Sequence, residues 1–404
     1  MPAARLGTRL GIVPGVAALA GALLVVGFGQ ELWARYLPEY LRALGGTALT
    51  LGAFGTLQDL LDAAYAYPGG VLADRVGSRR ALLVVAGATA GGTAVYLASG
   101  TIGALFVGLL LVSAWRSFGL PATFTLIGEE LARDRRIAGF TVQAVVKRLP
   151  ILVAPPIGGL LIERLGLPGG MKAGFAVSLI CTAGTLVALR AVFGPRLRPE
   201  ADRVRPLPRP AAPRGRLHPT LRRILVADCL VRLCEGLPAV FLVVWAIEIV
   251  KITPLEFGAL QSILTAAAIL SYLPAVVLAE RVEKKPFVIA TFLFFTLFPL
   301  AVLLGRSFGH LAVAYVVGGL REIGEPARKA LLVDLADEQA PGRTLGLYYT
   351  IRGFAVAGAA SVGGFLWTIR PALTLFVACA LGAAGTIWAA VTLPREPAPR
   401  AEFA

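Results

Sequence analysis

Charge is what this sequence has least of for its size. Asp, Glu, Lys and Arg make up 16% of its 404 residues, against about a quarter in a water-soluble chain. Soft metal ligands are scarcer still. Two histidines (His218 and His310) and two methionines leave no His/Cys metal constellation and no Met-rich copper path. The four cysteines, Cys181, Cys229, Cys234 and Cys379, lie inside apolar runs with no paired spacing, which reads as small buried side chains rather than a disulfide framework. Catalytic patterns are missing too: there is no G-x-S-x-G, no Gly-rich loop ending in G-K-[S/T] and no H-E-x-x-H. Those absences exclude an ATP-driven pump and the common hydrolase centres. No cofactor, no metal and no enzyme activity are expected. The first apolar run has no small-residue cleavage site leading into a soluble domain, so it reads as a retained span.

Apolar residues make up 57% of the chain. They fall into runs of about 20, enough to cross a hydrocarbon core of about 30 Å. The runs lack the period-2 alternation of a barrel strand, and only helices or closed barrels satisfy their backbone in lipid, so the spans are helices. Twelve are expected, near residues 11–37, 47–72, 80–99, 102–131, 138–162, 171–193, 223–249, 255–279, 286–305, 309–336, 343–369 and 371–393. Residues 194–222, with Pro195, Pro199, Pro206, Pro208, Pro210, Pro213 and Pro219, cannot form one helix. The fold class predicted is an all-α membrane protein: a six-helix half over 1–193, a cytoplasmic linker over 194–222 and a second six-helix half over 223–404. With the N-terminus inside, 23 Lys/Arg fall on the cytoplasmic side, counting Arg80, Arg223 and Arg343 at the span edges. Six (Arg42, Arg164, Lys172, Lys251, Arg306, Arg370) fall outside. The basic excess, +15 overall, is therefore a topology signal that puts both termini in the cytoplasm, and no nucleic-acid partner is implied.

The halves repeat. Arg116-Ser117-Phe118-Gly119-Leu120-Pro121-Ala122 returns as Arg321-Glu322-Ile323-Gly324-Glu325-Pro326-Ala327, 205 residues later. At that displacement Glu129 meets Asp334, Lys147 meets Arg352, and Gly158-Gly159 meets Gly363-Gly364; Pro68 meets Pro274 at 206. The charged, Gly-punctuated stretch Gly69–Arg80, read as a loop, has a weaker second copy at Ala279–Lys285. Parallel six-span repeats are an architecture of secondary transporters, with the substrate site near the midplane.

A charge within a span costs several kcal/mol unless paired or wetted, which makes each one a functional candidate. Glu31 and Arg35 share a face of span 1, and Asp59 and Asp62 lie about halfway through span 2. Span 7 carries Asp228, Arg232 and Glu235 as one stripe; span 10 carries Arg321, Glu325 and Arg328 at the same spacing, with Lys329. Lys147 and Arg148 on span 5, Arg116 on span 4 and Arg352 on span 11 complete the set. Two readings compete: structural ion pairs between helices, or a wetted cavity in which Asp59, Asp62, Glu31 or Glu235 carries a proton. In the second, Arg116, Lys147, Arg321 and Arg352 are partners or anion ligands. Pro155, Gly158 and Gly159 supply a kink and a close helix approach.

Gly70, Leu72, Asp74, Arg75, Gly77 and Arg79-Arg80 resemble the major facilitator superfamily loop signature G-x-L-a-D-r-x-G-r-k. Glu280 and Arg281 are similar to its second copy. The resemblance implies alternating access by two rocking halves, usually driven by protons. It also implies a cytoplasmic gate in which Asp74 and Arg75 pair with helix-end charges such as Glu129 or Glu130. Arg116 resembles the span 4 arginine linked there to proton coupling. Residues 154–159 resemble the span 5 antiporter signature G-P-x-x-G-G. The function expected is a monomeric, proton-coupled secondary transporter of a small organic solute in the cell (inner) membrane, working as an efflux antiporter. A carrier of an organic or phosphorylated anion is the alternative. A receptor or scaffold without transport would predict dispensable mid-span charges.

Overall fold

The computed structural model describes residues 14–76, 78–115, 136–193, 218–279, 284–335 and 341–393. All regular structure among the described residues is helical. By contacts the chain divides into two units. One comprises Met1–Gly45 and Leu57–Arg209; the other comprises Gly46–Thr56 and Pro210–Ala404.

In the first unit, α1 (Pro14–Glu31) is followed by a 3₁₀ turn, Ala34–Tyr36, and a short α2 (Leu37–Ala43). Gly45, at φ +92°, turns the chain out of α2 through the left-handed region, where a Cβ is strained. α3 (Ala48–Val76) begins beyond a reciprocal cap, with Thr50 N–H on Thr47 Oγ1 and Thr47 N–H on Thr50 Oγ1, both at 3.3 Å. The stretch expected as a loop from Gly69 is a correction: α3 continues through Asp74 and Arg75 to Val76, and α4 (Ser78–Ala98) follows. Val71–Val76 contains no helix breaker, so the helix has no reason to stop before Gly77. α5 (Ile102–Trp115) is apolar.

α6 is recorded as one helix, Arg136–Phe193, of 58 residues. At 1.5 Å per residue it would be about 87 Å long, far more than one crossing needs. Gly166, at φ 72° and ψ 164°, breaks it into two limbs corresponding to spans 5 and 6. The core of this unit packs Leu19, Val26, Leu82, Val85, Trp115 and Leu189 together.

Tyr36 Oη donates to the Pro155 carbonyl at 2.7 Å, tying the 3₁₀ turn to the first limb of α6. Both groups are buried. Tyr36→Phe is expected to cost about 1 kcal/mol, read as a lower melting temperature of the purified protein. An unchanged melting temperature would show that the bond contributes nothing.

The second unit runs through α7 (Pro219–Gly236), opened by His218 as N-cap and Pro219 in the first turn. A 3₁₀ turn, Ala239–Phe241, and a π-helical turn, Trp245–Ile249, follow. α8 (Pro254–Ala279) has a capping box: Thr253 N–H on Glu256 Oε2 at 2.8 Å and Glu256 N–H on Thr253 Oγ1 at 3.2 Å. Next come α9 (Lys284–Leu304), α10 (Phe308–Leu320), α11 (Glu325–Asp334), α12 (Pro341–Val356), α13 (Ala359–Ile369) and α14 (Pro371–Thr392). Thr56, at the end of this unit's share of α3, bonds Ser361 Oγ at 2.7 Å.

Among the described residues, six helical segments are long and apolar enough to cross a bilayer: Arg79–Ala98, Val146–Val192, Pro219–Ile249, Pro254–Ser271, Lys285–Leu304 and Pro371–Thr392. Val146–Val192 contains the Gly166 break and thus covers two crossings.

The repeat read from sequence has a geometric counterpart inside each unit. A Cβ on Gly158 would strike the Leu32 carbonyl, and a Cβ on Gly363 would strike the Leu237 carbonyl. The 3₁₀ turns Ala34–Tyr36 and Ala239–Phe241 stand at the same 205-residue displacement. Each unit therefore brings its fifth span onto the end of its first through a glycine with no room for a methyl group.

Candidate functional site: a buried charge cluster in the second unit

Three elements of the second unit place charges together. The stripe on α7 presents Asp228, Arg232 and Glu235. The second contribution depends on a break in span 10, where the sequence suggests an unbroken stripe. α10 ends at Leu320, residues 321–324 form a turn, and α11 restarts at Glu325. Two local causes account for the break. Gly324 N–H donates to Thr291 Oγ1 on α9 at 2.7 Å, away from its own helix, and Pro326 has no N–H to continue the ladder. A Cβ on Gly324 would meet the Phe287 carbonyl, so only glycine lets the turn lie this close to α9. The restart puts Glu325 in a first helical turn, where the positive end of the helix dipole favours a carboxylate. The third element, α12, carries Tyr348 and Arg352, four residues apart on one face.

Arg328 is the hub. Its Nη1 donates to Asp228 Oδ2 at 2.8 Å, while Nε and Nη2 grip Glu325 at 2.9 and 2.8 Å. Its side chain is 2% exposed and that of Asp228 1%. Asp228 Oδ2 also accepts from Tyr348 Oη at 2.9 Å and Arg352 Nη1 at 3.1 Å. Glu235 accepts from Arg232 Nη1 at 2.7 Å, and Arg321 Nη1 lies 3.1 Å from its other oxygen. Arg232 links the two groups, 3.8 Å from both Asp228 and Glu325. Lys329, largely exposed, approaches Glu325 at 3.6 Å. Aromatic faces cover the guanidiniums: Arg232 sits 5.0 Å and Arg321 5.2 Å from the Phe295 centroid.

The arrangement is graded. Asp228 and Glu325 are held by several donors each; Asp228 is fully buried and Glu325 largely so. Glu235 is the open member, with 31% of its side chain exposed. Glu235 is held by Arg232 and Arg321, whose side chains are 24% and 19% exposed, whereas Asp228 is held through Arg328, at 2%.

The other candidates lie elsewhere. Glu31 and Arg35 pair at 2.9 Å on span 1. Asp59 is exposed and Asp62 half-buried, Lys147 is exposed and Arg148 half-buried, and each of the four has an interaction of its own. Gly70, Asp74 and Arg75 lie on the last turns of α3; their side chains, with all of Gly77, Arg116, Glu129, Glu130, Glu280 and Arg281, lie outside the described residues. Tyr348 is a partner of the charges that the sequence reading does not single out. Its one signal is its spacing, four residues before Arg352.

Residues 19–234 and 224–404 each match the sequence model of the Major Facilitator Superfamily. The chain belongs to the major facilitator superfamily. It is an integral membrane transporter and not an enzyme. No curated protein sequence matches it. Solved structures share the fold at low identity. A POT family transporter in complex with 5-aminolevulinic acid is 16% identical with a TM-score of 0.73, covering 94% of this chain and 95% of that one. A mutant of the peptide transporter POT in complex with alafosfalin is 18% identical with a TM-score of 0.74, covering 94% and 93%. The human organic anion transporter MFSD10 (TETRAN) is 16% identical with a TM-score of 0.58, covering 93% and 98%. Of the elements that carry the cluster, α7 belongs to a segment long and apolar enough to cross a bilayer, where a charge is costly unless it is paired.

Proposed function

We propose that this transporter is proton-coupled and moves a small organic solute by alternating access, exporting it in exchange for protons. The observation that carries the reading is the graded cluster on α7, α11 and α12. Its buried members hold the unit together, and Glu235 is the most exposed of its three carboxylates, held by Arg232 and Arg321. A proton on Glu235 would free Arg232 and Arg321 for other partners, which is the linkage a coupled carrier requires. Glu31, Asp59 and Asp62 are further acids for the same role. That relatives of this fold were solved with 5-aminolevulinic acid and alafosfalin supports a solute of that size class. The export direction rests on the resemblance at residues 154–159 alone.

The test uses proteoliposomes containing the full chain, with a solute chosen by its stabilisation of the purified protein. Uphill movement is expected to collapse with a protonophore and to run opposite to the imposed proton gradient. Glu235→Gln is expected to lower gradient-driven transport at least tenfold while solute-for-solute exchange persists. Accumulation that survives loss of the gradient would end the proton reading; movement with the gradient would replace export by symport.

A further inference from the structure

Away from the charge cluster, one end of the second unit gathers cations of another kind. Arg223, near the start of α7, donates through Nη1 to the Thr392 carbonyl at 3.3 Å. Lys285, at the start of α9, donates to the Leu393 carbonyl. The end of α14 favours such partners, because its last carbonyls have none within the helix. Successive residues are about 3.8 Å apart along the chain, so both cations stand at one helix end. Neither meets a carboxylate among the described residues. α11 reaches the same end, with Leu331 and Leu332 in one cluster with Leu221 and Leu393. Its Asp334 is exposed and pairs with neither cation. Holding α14 takes one donor from each side chain, whereas a guanidinium has five and an ammonium three. Arg223 is exposed and Lys285 half-buried, so donors remain on the open side.

Below these cations the surface is apolar. One membrane-crossing segment ends at Thr392, another begins at Lys285, and Arg223 lies just inside a third, Pro219–Ile249. Both cations are therefore at a membrane edge. Ile387 and Val391, four apart on α14, are largely exposed, as is Val226, three residues after Arg223 on α7. Trp388 stands between the two zones. Its indole is exposed and donates Nε1–H to the Arg223 carbonyl at 3.1 Å, the posture of an aromatic at headgroup level. An apolar strip thus leads past an indole to a pair of cations, which matches a phospholipid with a negative headgroup. The first half has no copy of this arrangement. The residues 205 before Arg223 and Trp388 are Ala18 and Ala183, and only Lys285 has a basic counterpart, Arg80. A topology signal needs charge at the edge; it does not need an indole and a guanidinium added to one half.

We infer that Arg223, Lys285 and Trp388 form a site for one anionic phospholipid. Arg223 holds the phosphate, for which a guanidinium fork is suited. Lys285 supplies the second positive charge, and Trp388 lies where the headgroup meets the chains. The ligand comes from the bilayer, so the site does not depend on which solute is carried.

The test is native mass spectrometry of the full chain, delipidated in a nonionic detergent. It would be titrated with phosphatidylglycerol and with phosphatidylcholine of the same acyl chains. One phosphatidylglycerol is expected to bind at least about tenfold more tightly than phosphatidylcholine. Arg223→Gln and Lys285→Gln should each weaken it by about fivefold or more, the worth of one cation near a charged bilayer surface. Arg223→Lys keeps the charge and should restore most of the affinity. Arg306→Gln, exposed beyond the opposite end of α9, should change nothing. Should a Gln variant fail to fold, the parent chain carries the test: phosphatidylglycerol with a photoreactive acyl chain should label Val226 and residues 387–391.

Equal affinity for the two lipids, or undiminished binding in either Gln variant, would overturn the assignment. An equal loss in Arg306→Gln would do so too, by showing general charge attraction. So would label spread evenly over the lipid-facing helices. If glycerol phosphate, which has no acyl chains, displaces the lipid at matching concentration, the site serves a soluble phosphate and the lipid assignment falls.

Discussion

Arg328→Met is expected to prevent the second unit from assembling, giving little monodisperse protein on extraction or a melting temperature far below that of the parent. The side chain neutralises two carboxylates at once, Asp228 and Glu325, through three contacts of 2.8–2.9 Å. Methionine fills much of the same volume, so packing loss is secondary. What remains is a carboxylate at 1% exposure whose other partners are Tyr348, Arg352 and, at 3.8 Å, Arg232, and a second at 14% whose other cations are Lys329 at 3.6 Å and Arg232 at 3.8 Å. Breaking a buried pair by removing one partner costs about 3–5 kcal/mol, and here one deletion breaks two. The charge origin of the loss has its own check. Arg328→Met combined with Asp228→Asn and Glu325→Gln removes all three charges and should recover much of the lost stability, because the stranded carboxylates are gone. If the triple variant is as unstable as the single one, packing around Arg328 is what matters and the electrostatic account is wrong. If Arg328→Met melts with the parent, the cluster contributes no stability and its buried members need another explanation.

How much of this is legible in the sequence follows from the physics of each feature. Helices, their lipid setting and the doubling of the chain show in composition and spacing, because bilayer thickness dictates run length and the duplication leaves the displacement of 205 intact at Gly158-Gly159 and Gly363-Gly364. The α7 stripe is legible for a similar reason: Asp228, Arg232 and Glu235 share a face in any helix. The turn at 321–324 is not, since it depends on Thr291 of another helix capturing the Gly324 N–H. No local pattern announces that bond, although Pro326 marks a weak point. The continuation of α3 to Val76 is hidden because charge and glycine read as loop signals, while Asp74 and Arg75 are compatible with a helix end. Which charges meet is the least legible. Glu235 with Arg321 and Asp228 with Arg352 are contacts between distant segments, and sequence spacing constrains only the partners on one helix.

Gly158→Ala and Gly363→Ala are expected to destabilise the protein by similar amounts, about 1–3 kcal/mol each. In both cases the added methyl would overlap a backbone carbonyl, that of Leu32 or of Leu237. A side chain in the way could rotate; a backbone carbonyl held in the short turn between a helix and a 3₁₀ turn cannot, so the fifth span of each unit must back away from the end of the first. Gly184→Ala is the internal control. It too is a helix glycine, but a Cβ there meets nothing within 4 Å, so removing backbone freedom should stabilise, by about 0.5–1 kcal/mol. Melting temperatures of the three variants in one detergent would check the set, and equal responses at Gly158 and Gly184 would remove the close-approach argument. The comparison also bears on export. Gly158 lies in the segment that resembles an antiporter signature, whereas Gly363 occupies the same place in a half with no such segment. If both variants lose stability alike and keep the same direction of transport, the glycine pair is a packing device common to the two halves. Direction must then be sought among the charges that the halves do not share. Asp228, Arg232 and Glu235 are the first of these, because residues 205 earlier on span 1 are Leu23, Gly27 and Gln30, none of which can exchange a proton.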